Sequence, residues 1–235
     1  MKKLLAISIL AVAGVAGQFA LCSVRPSAAP VFAESVIASL GSLRAIAAEI
    51  VWFRADRLQE EGRYVELAQL ASTLTFLEPH TPEVWSYSAW NLAYNISVMM
   101  PTFEDRWRWV LSAIELLRDG GIRLNPRDPQ LYCELAWLFE LKLGADLDDA
   151  SGLYREKWKE IVKDAKAKDD WLSLGMDPEK MRAIEKKYGM DDWTNPLLSA
   201  IYWADEGLKF APDGNLKAFL GSIISQSKTL YNRKG

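Results

Sequence analysis

The sequence predicts an all-α protein built from stacked helical hairpins, on three observations. The first is an internal repeat. Pro79-His-Thr-Pro82-Glu-Val-Trp85-Ser-Tyr-Ser-Ala89-Trp90 returns as Pro126-Arg-Asp-Pro129-Gln-Leu-Tyr132-Cys-Glu-Leu-Ala136-Trp137, each matched residue lying 47 positions later (126 − 79). A fixed offset of this size is the signature of a repeated supersecondary unit. The second is apolar residues at helical spacing through most of the chain, as in Val65, Leu67, Ala68, Leu70, Ala71 and Leu74. The third is punctuation: Gly62 and Gly144 fall where helices should stop, and Pro129, Pro178 and Pro196 fall where they should start.

The elements follow in order. Met1-Lys2-Lys3 is a short basic start, and Leu4 to Leu21 runs 18 residues without a charge. That length falls at the boundary of a spanning helix, and Gly14, Gly17 and Gln18 make it a weak span, so an uncleaved anchor and a cleaved signal both stay open for residues 1–24. Leu21 is a poor residue before a lipid-bearing Cys22, and the two lysines favour an amino end in the cytoplasm. Residues 25–30 read as a linker. Residues 31–235 form the helical domain, with hairpins at about 48–79, 82–126, 129–168 and 195–231. Val31 to Phe53 is an amphipathic helix that either caps the first hairpin or lies on a bilayer. Helix one stops at Gly62, and helix two covers about Tyr64 to Leu77. Thr102 and Asp105 have the spacing of a helix cap. The stretch 165–177 reads as an irregular, charged excursion, after which Asp177-Pro178 opens a short helix ending at Gly189. Residues from about Asn215 to Tyr231 read as the helix that covers the open end of an array.

Charge excludes one class of partner. Lys2, Lys3 and Arg25 precede or flank the domain, so from residue 26 onward 25 basic residues (28 − 3) face 31 acidic ones, a net charge of −6. A domain so charged gives a phosphate backbone little attraction, and no nucleic-acid partner is expected. Cys22 and Cys133 cannot make a disulfide framework.

Gly62-x-Tyr64-x-x-Leu67 through Leu74 to Pro79 resembles the second half of a tetratricopeptide repeat, and Trp85, Ala89 and Leu92 resemble its first helix. Ala55, Ala89 and Ala136 all fall at that family's small-residue position. The strings Ala89-Trp-Asn-Leu-Ala-Tyr-Asn95, Tyr188-Gly189, Asp192-Trp193 and Ala200-Ile-Tyr-Trp-Ala204 resemble segments of uncharacterised bacterial membrane-anchored proteins of tetratricopeptide-like type. The resemblance covers roughly 48–143, partly 195–231, and not 165–190. It implies a right-handed α-α superhelix of tetratricopeptide-like hairpins behind an N-terminal transmembrane or signal helix. It also implies that one face of each first helix lines a concave groove. In this register those positions are Glu49, Trp52, Asp56, Gln59 and Glu60, then Glu83, Ser86, Trp90, Ala93 and Tyr94, then Gln130, Cys133, Trp137, Glu140 and Leu141. Trp52, Asp56, Ser86, Trp90, Tyr94, Trp137 and Glu140 are therefore the candidate partner-binding residues. Exposed aromatics with polar neighbours anchor peptides and partner helices.

Residues with catalytic chemistry are sparse. His80, the single histidine, sits in a turn, no Gly-x-Ser-x-Gly occurs, and no His or Cys pair has zinc-ligand spacing. Cys133 reads as a small packing residue. Asp146, Asp148 and Asp149 form the densest carboxylate cluster, which reads as a helix start favoured by negative charge, without the ligand alternation of a calcium loop. No catalytic residue, metal or cofactor is assigned. The expected function is a non-catalytic scaffold for protein–protein interaction. It is tethered to the bacterial inner membrane by residues 4–21 and faces the periplasm, or is released there after signal cleavage. Two alternatives are a glycan- or peptidoglycan-binding or hydrolysing envelope protein, and a purely structural subunit of an envelope complex.

Overall fold

The computed structural model describes the backbone of residues 30–234 and the side chains of residues 43–233. The expected membrane or signal segment at 4–21 lies outside those residues. Among the described residues no helix is long and apolar enough to cross a membrane. The chain divides into two compact units, Met1–Arg54 and Ala55–Gly235, and the division falls within the first helix.

The described residues are all-helical, without a strand. Helix α1 spans Pro30–Glu60 and α2 Tyr64–Leu77. Helix α3 covers Pro82–Trp90 and runs on through a π-helical stretch, Asn91–Ile96, to Ser97–Met99. Helix α4 joins Phe103–Glu115 to a π stretch Leu116–Ile122, and α5 joins Pro129–Trp137 to a π stretch Leu138–Gly144. Then come α6 (Ser151–Lys168), a 3-10 turn (Trp171–Leu174), α7 (Pro178–Tyr188), α8 (Pro196–Leu208) and α9 (Asn215–Lys234).

Local chemistry sets these boundaries. At the end of α1, Gly62 takes φ +69° and Arg63 N–H reaches back to the Leu58 carbonyl at 2.8 Å, the bond that closes a helix on a left-handed residue. Thr102 accepts the Asp105 N–H, and Asp128, Asp177 and Asn195 each accept a first-turn N–H with proline at the first helical position.

The duplicated sequence makes duplicated structure. Helices α3 and α5 touch, and each begins with proline. The Trp85 indole N–H donates to the Pro79 carbonyl at 3.0 Å, and the Tyr132 hydroxyl donates to the Pro126 carbonyl at 2.9 Å. These bonds join equivalent residues of the two copies. The Asn125 amide also donates to the Pro79 carbonyl at 2.9 Å, which ties one turn to the other. Ala89 and Ala136 are buried at the same helical position. The Trp85 ring lies on α4 at Gly120, where an added Cβ would come within 2.8 Å of the ring, so only glycine allows that approach.

Helix α5 is central. It packs against α3, α4, α6, α8 and α9, and α8 in turn packs against α9. The core around it holds Phe139 against Trp158, their rings edge-on at 4.7 Å, and Trp107 against Tyr154 at 6.0 Å.

One expectation is corrected. The stretch 165–177 is not an irregular excursion. Helix α6 continues to Lys168, Asp169 turns the chain at φ +52°, and Asp170 caps the 3-10 turn by accepting the Ser173 N–H. Leu174 and Met176 are buried, and Trp171 meets the Trp193 ring at 6.5 Å. These few apolar residues outweigh the charges around them. The acidic cluster stands directly before α6, where the Asp148 carboxylate accepts the Ala150 N–H at 2.9 Å and its carbonyl accepts the Ser151 N–H at 3.0 Å. Asp146 pairs with Arg155 at 2.8 Å, Asp149 with Arg106 at 2.6 Å and Asp148 with Lys142 at 2.5 Å, so the cluster links separate elements.

Candidate partner-binding surface

Packing decides which face of each repeated helix stays open. With neighbours on several sides, α5 leaves a single stripe, Gln130, Glu134, Trp137 and Leu141, partly open at helical spacing. The matching stripe on α3 is Glu83, Tyr87, Trp90 and Tyr94. Each residue of one stripe lies 47 positions from its counterpart (130 − 83).

The two stripes meet through their rings. Trp90 and Tyr94 have centroids 6.0 Å apart, Tyr94 and Trp137 6.2 Å, and Trp137 meets Phe219 of α9 edge-on at 6.1 Å. Four aromatic rings thus form one row across α3, α5 and α9. Its ends are open: Trp90 is 41% and Phe219 43% exposed, while Tyr94 and Trp137 are half-buried. Ring pairs at this separation contribute beyond their buried area, which holds the row in place before anything binds.

Polar groups flank and underlie the row. The Gln130 amide donates to Glu134 at 2.7 Å, and burial pushes the Glu134 carboxyl above its ordinary value. The Lys142 ammonium, itself buried, lies 5.1 Å from the Tyr94 ring centre, a cation–π contact on the inner side of the row. Asp148 neutralises Lys142, and that ammonium together with the Ala150 N–H holds the Asp148 carboxyl below its ordinary value against the opposing effect of burial. Burial raises the Tyr94 hydroxyl, with Glu134, Asp148 and Glu140 adding to the shift, and its oxygen is closed off with no hydrogen-bond partner.

The candidate residues divide accordingly. Trp90, Tyr94 and Trp137 are brought together. Asp56 is exposed on α1, and Trp52 is half-buried within the unit that ends at Arg54. Ser86 is half-buried, with its hydroxyl oxygen closed off and unbonded. Glu140 is corrected: it is 2% exposed, so it does not face a groove. One of its oxygens lacks a partner, and burial pushes its carboxyl up to about 7. Cys133 and Ala93, placed on the groove by the same register, are buried as well. For Glu140 and Cys133 the register failed because α5 is packed by five other helices. Two members were missed. Glu134 was legible as the helical neighbour of Gln130 and Trp137, whereas nothing in the sequence signals that Phe219 completes the row.

The surface offers ring faces with carboxylates at the edge, a binding chemistry. The Cys133 thiol, pushed up to about 12 by burial, is a poor nucleophile, and His80 stands exposed in its turn, away from these groups in sequence. Among the described residues no three His, Cys, Asp or Glu side chains stand together as metal ligands. No protein-family model, curated protein or solved structure matches the chain.

Proposed function

We propose that this protein is a membrane-tethered scaffold, facing the periplasm, that holds a protein partner on the row Trp90–Tyr94–Trp137–Phe219. On this reading the hairpins form a right-handed superhelix of tetratricopeptide type and residues 4–21 anchor it in the inner membrane. The observation that carries the proposal is the row itself, four rings in mutual contact with both ends open to solvent. Aromatic side chains fixed in this way bind a partner at low entropic cost and dominate interface energetics. The paired bonds of Trp85 and Tyr132 to the turn carbonyls support the repeat architecture.

The test places a photo-crosslinking residue at Glu83, beside the row, in the full chain expressed in its host. A discrete crosslinked protein is expected. Its yield should collapse in Trp90→Ala and Phe219→Ala, each worth about 2 kcal/mol of binding, while helical content and thermal midpoint stay near wild type. A crosslink indifferent to both substitutions would refute the reading. Retention on purified peptidoglycan, lost in the same variants, would transfer the row to a glycan ligand.

A further inference from the structure

A second feature lies on residues outside the aromatic row. A cleft of about 530 Å³ opens among α4, α5, α7 and α8, with Arg118, Arg123, Lys180, Ile122, Tyr132 and Trp203 in its walls. The volume lies in the range of small-molecule sites, about 300–1,000 Å³. We propose that this cleft binds a small organic oxyanion, its phosphate or carboxylate group held by Arg118, Arg123 and Lys180 and its apolar body resting against Ile122, Tyr132 and Trp203.

Charge on the walls is the first argument. Arg118 is nine-tenths buried and grips Asp119 through Nε and Nη2, both at 2.6 Å. That carboxylate is fully engaged by one guanidinium. Arg123 reaches the same residue but takes only its backbone carbonyl, with Nε at 2.7 Å, and among the described residues it makes no ion pair. Lys180 shares Glu206 with Lys209, so one carboxylate serves two ammonium groups. The cleft is therefore short of negative charge, on a domain that carries an excess of it. That contrast favours a compact anion over a polyanion, which the surrounding acids would repel.

Construction is the second. One wall comes from the stretch that the repeat does not account for, through Gly175 and Lys180. At Gly175 an added Cβ would lie 2.9 Å from Arg118 Cδ and 3.2 Å from Trp203 Cη2. The loop backbone thus lies directly on the arginine stem and close to the Trp203 indole. A guanidinium held in place by packing gives up little freedom when an oxyanion binds.

The experiment titrates the full chain, in a nonionic detergent with a micelle-only blank, with phenyl phosphate, benzoate, inorganic phosphate and phenol by calorimetry. Phenyl phosphate or benzoate should bind saturably, phenol should not, and whichever oxyanion binds more tightly identifies the head group. Arg123 and Lys180 are exposed, so Arg123→Gln and Lys180→Gln should fold normally, and each should weaken binding by about tenfold. Lys217→Gln, on α9 outside the cleft, should leave affinity unchanged. Equal affinity in Arg123→Gln and wild type, or no saturable binding of either aryl oxyanion, overturns the proposal. So does inorganic phosphate binding as tightly as phenyl phosphate, because the apolar wall would then contribute nothing. None of these outcomes depends on the aromatic row.

Discussion

Glu140 carries a cost that the fold tolerates. Its carboxyl is buried with one oxygen unbonded, and burial raises it from 4.5 to about 7. Between those two values the folded chain holds a proton that the unfolded chain has released. Stability from this group is therefore complete below about 4.5 and is lost as pH rises through about 7, by up to about 3 kcal/mol. Glu140→Gln, neutral at every pH, should abolish that loss. Urea unfolding at pH 5 and pH 8 checks it: wild type should lose clearly more stability than the variant between the two. Glu134, raised in the same direction, adds a slope that both proteins share. Parallel losses would show that water or a cation reaches the Glu140 carboxylate in solution. The pair beside it behaves oppositely, since Lys142 keeps Asp148 charged and each screens the other from the core.

Helix ends were the most legible elements because their signals are local. Gly62, Asp128-Pro129, Asp177-Pro178 and Asn195-Pro196 each set a boundary through bonds within one turn. Of the three π stretches, those in α3 and α5 were not legible, since the helical spacing of apolar residues runs on through Asn91–Ile96 and Leu138–Gly144. Both begin just after the Ala-Trp pair of their repeat, at Asn91 and Leu138, so they belong to the duplicated unit. A π stretch accommodates an added residue while the helix on either side keeps its facing. Deleting Asn95 should therefore return α3 to regular helix and cost about 2 kcal/mol or less. Deleting Ser86, in the α-helical part, turns one end of the helix by about 100° against the other, and should abolish cooperative unfolding. Circular dichroism with thermal melts compares the two deletions. Equal damage would mean that the π geometry is required by its neighbours.

Across the whole chain, what the sequence could not reveal is set by long-range packing. Trp90 and Trp137 could be assigned to one face from the repeat alone, but Cys133 and Glu140 are buried on a helix that α8 and α9, much later in the chain, pack against. Likewise Phe219 joins the row only because α9 packs on α5. The ten tryptophans make the outcome measurable. Trp85, Trp107, Trp158, Trp193 and Trp203 are buried, and Trp90 is the one tryptophan among the exposed large hydrophobics. Quenching of the native fluorescence should therefore be heterogeneous, with a minority accessible component that Trp90→Phe diminishes. The sign of the quencher's charge tests the setting of that residue. Glu83 lies two helical turns before Trp90 on the same stripe, Glu134 flanks the row from α5, and the domain is acidic as a whole. Caesium should accumulate near Trp90 and iodide should be repelled, so caesium should quench the accessible component more effectively relative to free tryptophan, and the difference should shrink as salt is added. A purely structural subunit with every tryptophan enclosed would instead give one uniform component that resists both ions and is unchanged in character by Trp90→Phe.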